Sequence, residues 1–301
     1  MDIIVGFNNE PSNRDALALG QALASTLGAN LVVATIYPVA FDYPGAGHVD
    51  AEWRAFVIEQ AEETLAWARK HVTNPDDVSF VAHGHRSSGV GLSQIAAKRG
   101  AAIIVIGSAP GGSEGRITGG STADQLFHGA PSPVAVAPQG YHCWAPEEIH
   151  RFVVAYQRTR ESDHCLAATL EAYRRSDMAG RVQLHVLTLV ERVTKIYSSR
   201  LGHNAEDQVM ATLREQAAVG LRHASKVAAE AGVEATTSVV EGDKVVTSLS
   251  KFDWHSGDVF VLGSTDTGPI KRVFLGDMTY KLIRAATVPV VVVPRRANLP
   301  D

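Results

Sequence analysis

The 301-residue chain predicts an α/β protein of two tandem doubly wound domains, each a five-stranded parallel sheet flanked by helices. Three observations carry that prediction: apolar strand-like runs alternate with amphipathic helical ones, the pattern occurs twice, and the second copy keeps the spacing of the first. Residues 102–108 read Ala-Ile-Ile-Val-Ile-Gly-Ser, and residues 258–264 read Asp-Val-Phe-Val-Leu-Gly-Ser. Ala130-Pro131-Ser132-Pro133-Val134-Ala135-Val136-Ala137-Pro138 is answered by Ala286-Thr287-Val288-Pro289-Val290-Val291-Val292-Val293-Pro294. Gly263 follows Gly107, and Pro289 follows Pro133, by the same 156 positions. The opening strands, Ile3-Ile4-Val5-Gly6-Phe7 and Phe152-Val153-Val154-Ala155-Tyr156, lie 149 apart, so the second copy carries about seven extra residues before its fourth strand.

The domains are expected at residues 1–139 and 149–301. The joint from Gln139 to Glu148 holds a glycine, a proline and no periodicity, as a linker should. Its Tyr141 and Trp144 imply that it is packed against the protein.

In the first copy, a strand at 2–7 precedes a Ser12-x-x-Asp15 capping pattern. Ala16, Leu19, Gly20, Leu23 and Leu27 then form one apolar helical stripe. Residues 31–36 read as the second strand, and a looser stretch with Gly45 and Gly47 runs to Val49. A helix over 51–71 aligns Trp53, Val57, Ala61, Leu65 and Ala68 on one face. A strand at 78–82, a helix at 88–99, a strand at 102–106, a glycine-rich loop, a helix at 120–129 and a strand at 133–137 complete the unit. Strands apolar on both faces and alternating with helices require a parallel sheet covered on both sides. Ligands of such sheets bind at the carboxyl ends of the strands, where the strand order reverses, which directs attention to the loops after strands one and four.

Composition narrows the function. With 45% hydrophobic and 20% charged residues the chain is globular and not disordered. A formal net charge of −4 gives no footprint for nucleic acid. No apolar run approaches the ~20 residues of a membrane span, and the amino terminus lacks a basic segment leading into an apolar one. Two cysteines, Cys143 and Cys165, form no disulfide framework. A cytoplasmic protein with no membrane or nucleic-acid partner is expected.

The loop after strand four runs from Gly107 to Gly120 and leads through Ser121 and Thr122 into an apolar helix. Glycines allow a phosphate close to the backbone, and a helix start rich in N–H and O–H donors favours an anion. The loop lacks the Gly-Lys-Ser/Thr of a Walker sequence, and a dinucleotide fingerprint belongs after strand one. Other candidates read as structural. His83-Gly84-His85 is a short exposed loop, and the adjacent pairs His142-Cys143 and His164-Cys165 suit zinc poorly. Glu62-Glu63, Asp76-Asp77, Arg174-Arg175 and Arg295-Arg296 read as solvated charge or helix ends. Gly112-Ser113-Glu114-Gly115 falls one residue short of a nucleophile elbow. No catalytic residue and no metal site is expected.

Taken together, the strand-Gly-Ser segments, the Gly120-Ser121 helix start and the Pro-bounded closing strands resemble the universal stress proteins in their tandem form, over essentially the whole chain. The resemblance implies a Rossmann-like sheet of the adenine-nucleotide alpha-hydrolase kind, with the two closing strands pairing as an internal pseudo-dimer and a further homodimer open to it. ATP-binding members carry Gly-x2-Gly-x9-Gly-Ser/Thr in this loop, an Asp after strand one and an aliphatic residue after strand two that touches adenine. Gly107, Gly120 and Ser121 match that pattern, and Ile36 falls at the adenine position. Ile106 and Thr122 flank the motif and join the expected nucleotide-binding set, as does Asn8, which replaces the Asp. Pro110 replaces the second glycine and removes an N–H, a role that Gly111 or Gly112 is placed to take over. In the second copy Gly263 and Gly276 remain, but Asp266, Asp277 and Gln157 stand at the other positions, and two carboxylates repel phosphate. The implied function is a stress-response binding or regulatory protein, not a fast enzyme, with one ATP, and Mg with it, in the first domain and none in the second. The alternatives are a nucleotide-free scaffold for another protein and, behind it, a slow nucleotide hydrolase.

Overall fold

A computed structural model describes residues 1–8, 10, 12–39, 47–176, 178–192, 202–264 and 277–294. The first half runs β1 (Asp2–Gly6), α1 (Ser12–Leu27), β2 (Asn30–Tyr37), α2 (Gly47–Arg69), β3 (Val78–Gly84), α3 (Ser88–Arg99), β4 (Ile103–Gly107), α4 (Ser121–Gly129) and β5 (Val134–Ala137). The second runs β6 (Arg151–Ala155), α5 (Arg160–Arg175), β7 (Gln183–Glu191), α6 (Gly202–Glu230), β8 (Ala235–Gly242), α7 (Val245–Leu249), β9 (Asp258–Gly263), α8 (Asp277–Ala285) and β10 (Val290–Val293). The expected βαβ alternation is therefore present twice, with boundaries shifted by a few residues and α2 beginning about a turn early.

All ten strands form one sheet in the order β3-β2-β1-β4-β5-β10-β9-β6-β7-β8. Every neighbouring pair is parallel except the central one, where β5 and β10 run antiparallel. The closing strands, apolar edges of their own halves, thus meet in the middle of the sheet. Its outer edges are β3 and β8, which show Ser79 and Thr236, Thr237 and Ser238.

One core lies on the face of α1, α2, α5 and α6, with Ile3, Val5, Leu19, Leu23, Val154 and Leu166 at its centre. The other lies beneath α3, α4, α7 and α8, around Ile4, Ile104, Leu126, Phe260 and Ile283. Ala61, Leu65 and Ala68 of the expected α2 stripe are buried, but Trp53 at its start is 37% exposed. The strands beneath it, β2 of 8 and β3 of 7 residues, are shorter than a 23-residue helix and leave its end uncovered.

Asp15 departs from its expected capping role. Its carboxylate is 1% exposed and accepts the N–H groups of Gly140 (2.9 Å) and His142 (2.9 Å), with His142 Nδ1 at 2.6 Å. The joint between the halves is thereby held along α1, and Thr26 Oγ1 accepts the N–H of Ile149 (2.7 Å) at the far end of that helix. Tyr141 is fully buried and meets Trp144 edge-on at 4.5 Å, so the joint is packed as its aromatic residues imply.

The antiparallel centre relates the halves by an approximate two-fold rotation, and two pairs of repeat-equivalent residues sit on it. Ala135 pairs with Val291 across β5 and β10, and Tyr280 Oη donates to Asp124 Oδ1 at 2.9 Å; each pair is 156 residues apart in sequence. A half pairing with its own kind would oppose Asp124 to Asp124 and Ala135 to Ala135, or Tyr280 to Tyr280 and Val291 to Val291. Small against branched and acceptor against donor fit only the unlike pairing. Burial and the nearby Asp124 carboxylate push the Tyr280 hydroxyl up to about 12, so it stays a donor.

Exchanging these groups tests the arrangement. Tyr280→Asp opposes two carboxylates and should lower stability by about 1 kcal/mol, and adding Asp124→Tyr should restore most of the loss, read as a positive coupling in a denaturant double-mutant cycle. A second test concerns His185 of β7, which bridges Thr236 Oγ1 (2.8 Å) and Ser238 Oγ (2.7 Å). Burial, with the Arg151 guanidinium nearby, depresses its pKa to about 4. It therefore folds neutral and stabilises above the unfolded value near 6.5, and that contribution is lost as pH falls toward 4. The melting temperature should drop across this window, and His185→Gln should flatten the drop, by at most about 3 kcal/mol in stability terms.

Candidate functional site

In the first half the strand order reverses between β1 and β4, whose registers align Ile3 with Ile103 and Val5 with Val105. A crevice of about 310 Å³ opens at the carboxyl ends of these strands. It is at the lower end of ligand pocket sizes.

Close approach of α3 makes the apolar wall. A Cβ on Gly6 would lie 2.7 Å from Leu92 Cδ1, and one on Gly91 would lie 3.0 Å from Ile36 Cγ2, so both positions admit only glycine without a shift. Ala34, Ile36, Leu92 and Ile106 line this end. The turn after β1 is fixed from below by Thr35 Oγ1, which donates to the Phe7 carbonyl at 3.0 Å. Asn8 then lines the crevice, with its amide oxygen taken by the N–H of Glu10 (3.2 Å) and by Asn13 Nδ2.

The other end is polar backbone. Gly107 to Pro110 form one lip, and Gly120, Ser121, Thr122 and Ala123 form the other. Gly120 is the N-cap of α4 and no side chain caps the helix, so the first-turn N–H groups face the crevice with the positive end of the helix dipole. Between the lips the loop is tied to itself and to its surroundings. Ala109 N–H donates to the Thr118 carbonyl (2.9 Å) and Thr118 N–H to Ser108 Oγ (2.8 Å). Gly115 N–H donates to the Gln139 carbonyl (2.8 Å), and the Arg116 guanidinium donates to the Ala285 carbonyl at the end of α8.

All seven residues expected from sequence, Asn8, Ile36, Ile106, Gly107, Gly120, Ser121 and Thr122, border this one crevice. They arrive from four separate segments of chain. Gly111 and Gly112 are not among the residues that line the crevice, whereas Pro110 is. Gly111 has φ +83 and turns the loop, and a Cβ on Gly112 would lie 2.3 Å from Thr118 Oγ1. Their glycine character serves the loop itself.

Sequence reasoning missed Glu10, Asn13 and Ser88, which also line the crevice. Glu10 supplies a carboxylate two residues after Asn8, where the family pattern sets its acid on strand one's immediate successor. Ser88 follows Ser87, whose hydroxyl caps α3 at the Val90 N–H (3.3 Å), a helix-start signal legible in Ser87-Ser88-Gly89.

In the second half, Asp266 and Gly276 lie outside the described residues, as do the side chain of Asp277 and the pair Arg295-Arg296. Gln157 borders a different cavity, of about 590 Å³, on the α6 face beside Tyr156 and Thr188. His83 and Gly84 belong to the end of β3 and not to an exposed loop, and His83 and His85 are half-buried: His83 Nε2 meets Gln94 Oε1 (3.0 Å), and His85 Nδ1 meets the Ser87 carbonyl (2.9 Å). Among the described residues no group of three or more His, Cys, Asp or Glu is arranged to hold a metal. Cys165 is buried, which raises its thiol pKa to about 12, and Cys143 is exposed with Sγ 3.5 Å from His142 Nε2. No described helix is long and apolar enough to cross a membrane.

The fold and crevice define a tandem, doubly wound α/β protein with a ligand-sized opening at the switch point of its first half. The chain belongs to the universal stress protein family, whose profile matches residues 1–138 and again 148–294. It is 30% identical over 300 residues to universal stress protein Rv2319c of Mycobacterium tuberculosis and to Mb2346c of Mycobacterium bovis, covering 98% of this chain and 100% of each relative. Among solved structures, a universal stress protein from Archaeoglobus fulgidus superposes with a TM-score of 0.66 at 16% identity, covering 98% of both chains. A functionally unknown protein from Pseudomonas aeruginosa, PA1789, superposes at 0.58 and 16%, covering 98% of this chain and 92% of its own. These likenesses establish the fold.

The loop geometry is testable by itself. Gly112→Ala drives a methyl group into Thr118 and should destabilise the protein by roughly 1–3 kcal/mol, and pairing it with Thr118→Ala, which removes the hydroxyl it meets, should recover part of that loss in urea unfolding.

Proposed function

We propose that this protein is a regulatory binding protein whose first half holds one adenine nucleotide. The observation that carries the reading is the two-ended crevice: an apolar slot of Ile36, Leu92 and Ile106 at one end, and at the other the uncapped start of α4 with Gly107 and Gly120. A flat apolar base suits the first end and a phosphate the second. The remaining lining groups qualify the affinity. Pro110 offers no N–H, and a missing hydrogen bond to a charged group costs about 1.5–3 kcal/mol. Glu10 is the one carboxylate among the described lining residues and is the group that a nucleotide-borne Mg²⁺ would meet.

The second half, with carboxylates at Asp266 and Asp277, is left without nucleotide in this reading. The protein acts by occupancy and not by turnover. Asp124, the acid in the first turn of α4, is held by Tyr280. A nucleotide at the α4 start therefore bears on a helix and a loop that both touch α8, through Asp124 and Arg116. The chain works as one pseudo-dimeric unit in the cytoplasm, with a protein partner reading the nucleotide state.

Chromatography of small molecules released on denaturing the purified protein should yield about one adenine nucleotide per chain, or added Mg-ATP should raise the melting temperature. At a hundredfold excess over Kd the gain is about 2.7 kcal/mol. Ser121→Ala should reduce this shift and Ile36→Asp should abolish it. Neither bound nucleotide nor a shift with ATP, ADP or AMP would favour the scaffold reading, for which Pro110 already speaks. Steady release of ADP or AMP, lost in Ser121→Ala, would instead mark a hydrolase.

A further inference from the structure

Asp15, His142 and Cys143 form a line of three reactive groups that the nucleotide reading does not use. The joint makes one 3-10 turn at Tyr141–Cys143, and consecutive side chains of such a turn point about 120° apart. His142 and Cys143 therefore do not meet merely by being neighbours. Their contact depends on the imidazole, whose Nδ1 lies 2.6 Å from Asp15 Oδ1 and whose Nε2 lies 3.5 Å from Cys143 Sγ. A carboxylate only accepts, so Nδ1 carries the ring proton and donates to Asp15. Nε2 keeps its lone pair, and the Cys143 S–H donates to it.

The acid that orients the ring is itself fixed. Asp15 is buried and also accepts the N–H groups of Gly140 and His142, so it is held by the same backbone that carries the ring and the thiol. The repeat does not produce this arrangement, since 149 residues after Asp15 stands His164. Among charged groups, α1 presents Asp15 to the joint, and the loop after β4 presents Glu114, whose Cγ would lie 3.2 Å from a Cβ on Gly140. Both are carboxylates, so a thiolate at Cys143 draws its counter-charge from the imidazolium of His142 and not from them. Exposure separates the two cysteines of the chain. Cys143 is exposed, whereas Cys165 is buried and its thiol is pushed up to about 12.

We propose that Cys143 is a modification site that exchanges with a low-molecular-weight disulfide, with His142 as its base and Asp15 as the positioning residue. A nucleophile beside a base that a third group orients is the geometry that activates thiols. The Cys143 proton passes to His142 Nε2, and Sγ attacks one sulfur of the disulfide. A new S–S bond forms as the old one breaks, and the departing thiolate takes the proton from Nε2. Cys143 is oxidised to a mixed disulfide, and the departing half is reduced to a free thiol. The nucleotide crevice takes no part in this step.

Glutathione disulfide is the probe. Incubated with the full chain and followed by intact-mass spectrometry, it should add one glutathione per chain, which peptide mapping places on Cys143 and not on Cys165. At pH 7 an ordinary thiol is only a few per cent ionised. His142→Gln, which keeps the backbone N–H that Asp15 accepts, should therefore slow the addition about tenfold at that pH. At pH 9 a thiol ionises without a base, and the two rates should converge. Asp15→Asn should show the same pH pattern. A joint loosened by that change would expose Cys143 further, so slower addition reports the orientation of the ring. Thermal unfolding verifies that each variant is folded, and should Asp15→Asn not fold, His142→Gln alone decides. No addition at Cys143, an unchanged rate in His142→Gln at pH 7, or a slowing of equal size at pH 7 and pH 9 would overturn the proposal.

Discussion

Antiparallel pairing of β5 with β10 is the constraint on which the remaining structure depends. Three residue pairs in this short ladder join two five-stranded parallel sheets into one of ten strands. Because the pairing reverses strand direction, it places the carboxyl ends of the two halves on opposite ends of the sheet. It also removes from solvent the two most apolar edges, Val134 to Ala137 and Val290 to Val293, all nearly fully buried. Four-residue strands supply few hydrogen bonds, so specificity must come from side chains. Ala135 against Val291 and Asp124 against Tyr280 supply it by being unlike at positions that duplication made equivalent.

The same unlike pairing gives the first-half crevice a dependence on the second half. Its loop is anchored at Arg116 to the end of α8, and its helix is anchored at Asp124 to Tyr280. The loop is otherwise closed on itself by Ser108, Ala109 and Thr118, and pinned to Gln139 where the joint begins. Ser108 and Ala109 belong to the lip itself, so the contacts that close the loop also hold one side of the crevice.

Duplication also left the halves unequal in how they close their outer faces. On the α1 side, the joint supplies Tyr141 and Ile149, and a buried Asp15 binds its backbone. On the α5 side, smaller residues stand where α1 has leucines. The two halves thus differ in side-chain volume along this sheet face, although each follows the same order of strands and helices.

The sequence by itself determined the class of fold, the duplication and the residues bordering the crevice. Apolar runs with strand and helix periods are local signals, and a repeat at 156 residues identifies equivalent elements without any tertiary knowledge. The loop from Gly107 to Gly120 is legible because the switch point of a doubly wound sheet lies at the ends of strands one and four whatever the side chains, and Asn8 and Ile36 through the resemblance to the family. Tertiary structure alone decided the rest. Asp15 reads as a helix cap until the joint passes close enough to offer it two N–H groups. The positive φ of Gly111 and the close approach of Gly112 to Thr118 belong to the path of the loop, which the run of glycines does not specify. Glu10 and Ser88 enter the crevice through the path of a turn and the approach of α3, and the pairing of Asp124 with Tyr280 exists only across the interface of the two halves. Each of these depends on contacts between segments distant in sequence, which local periodicity does not encode.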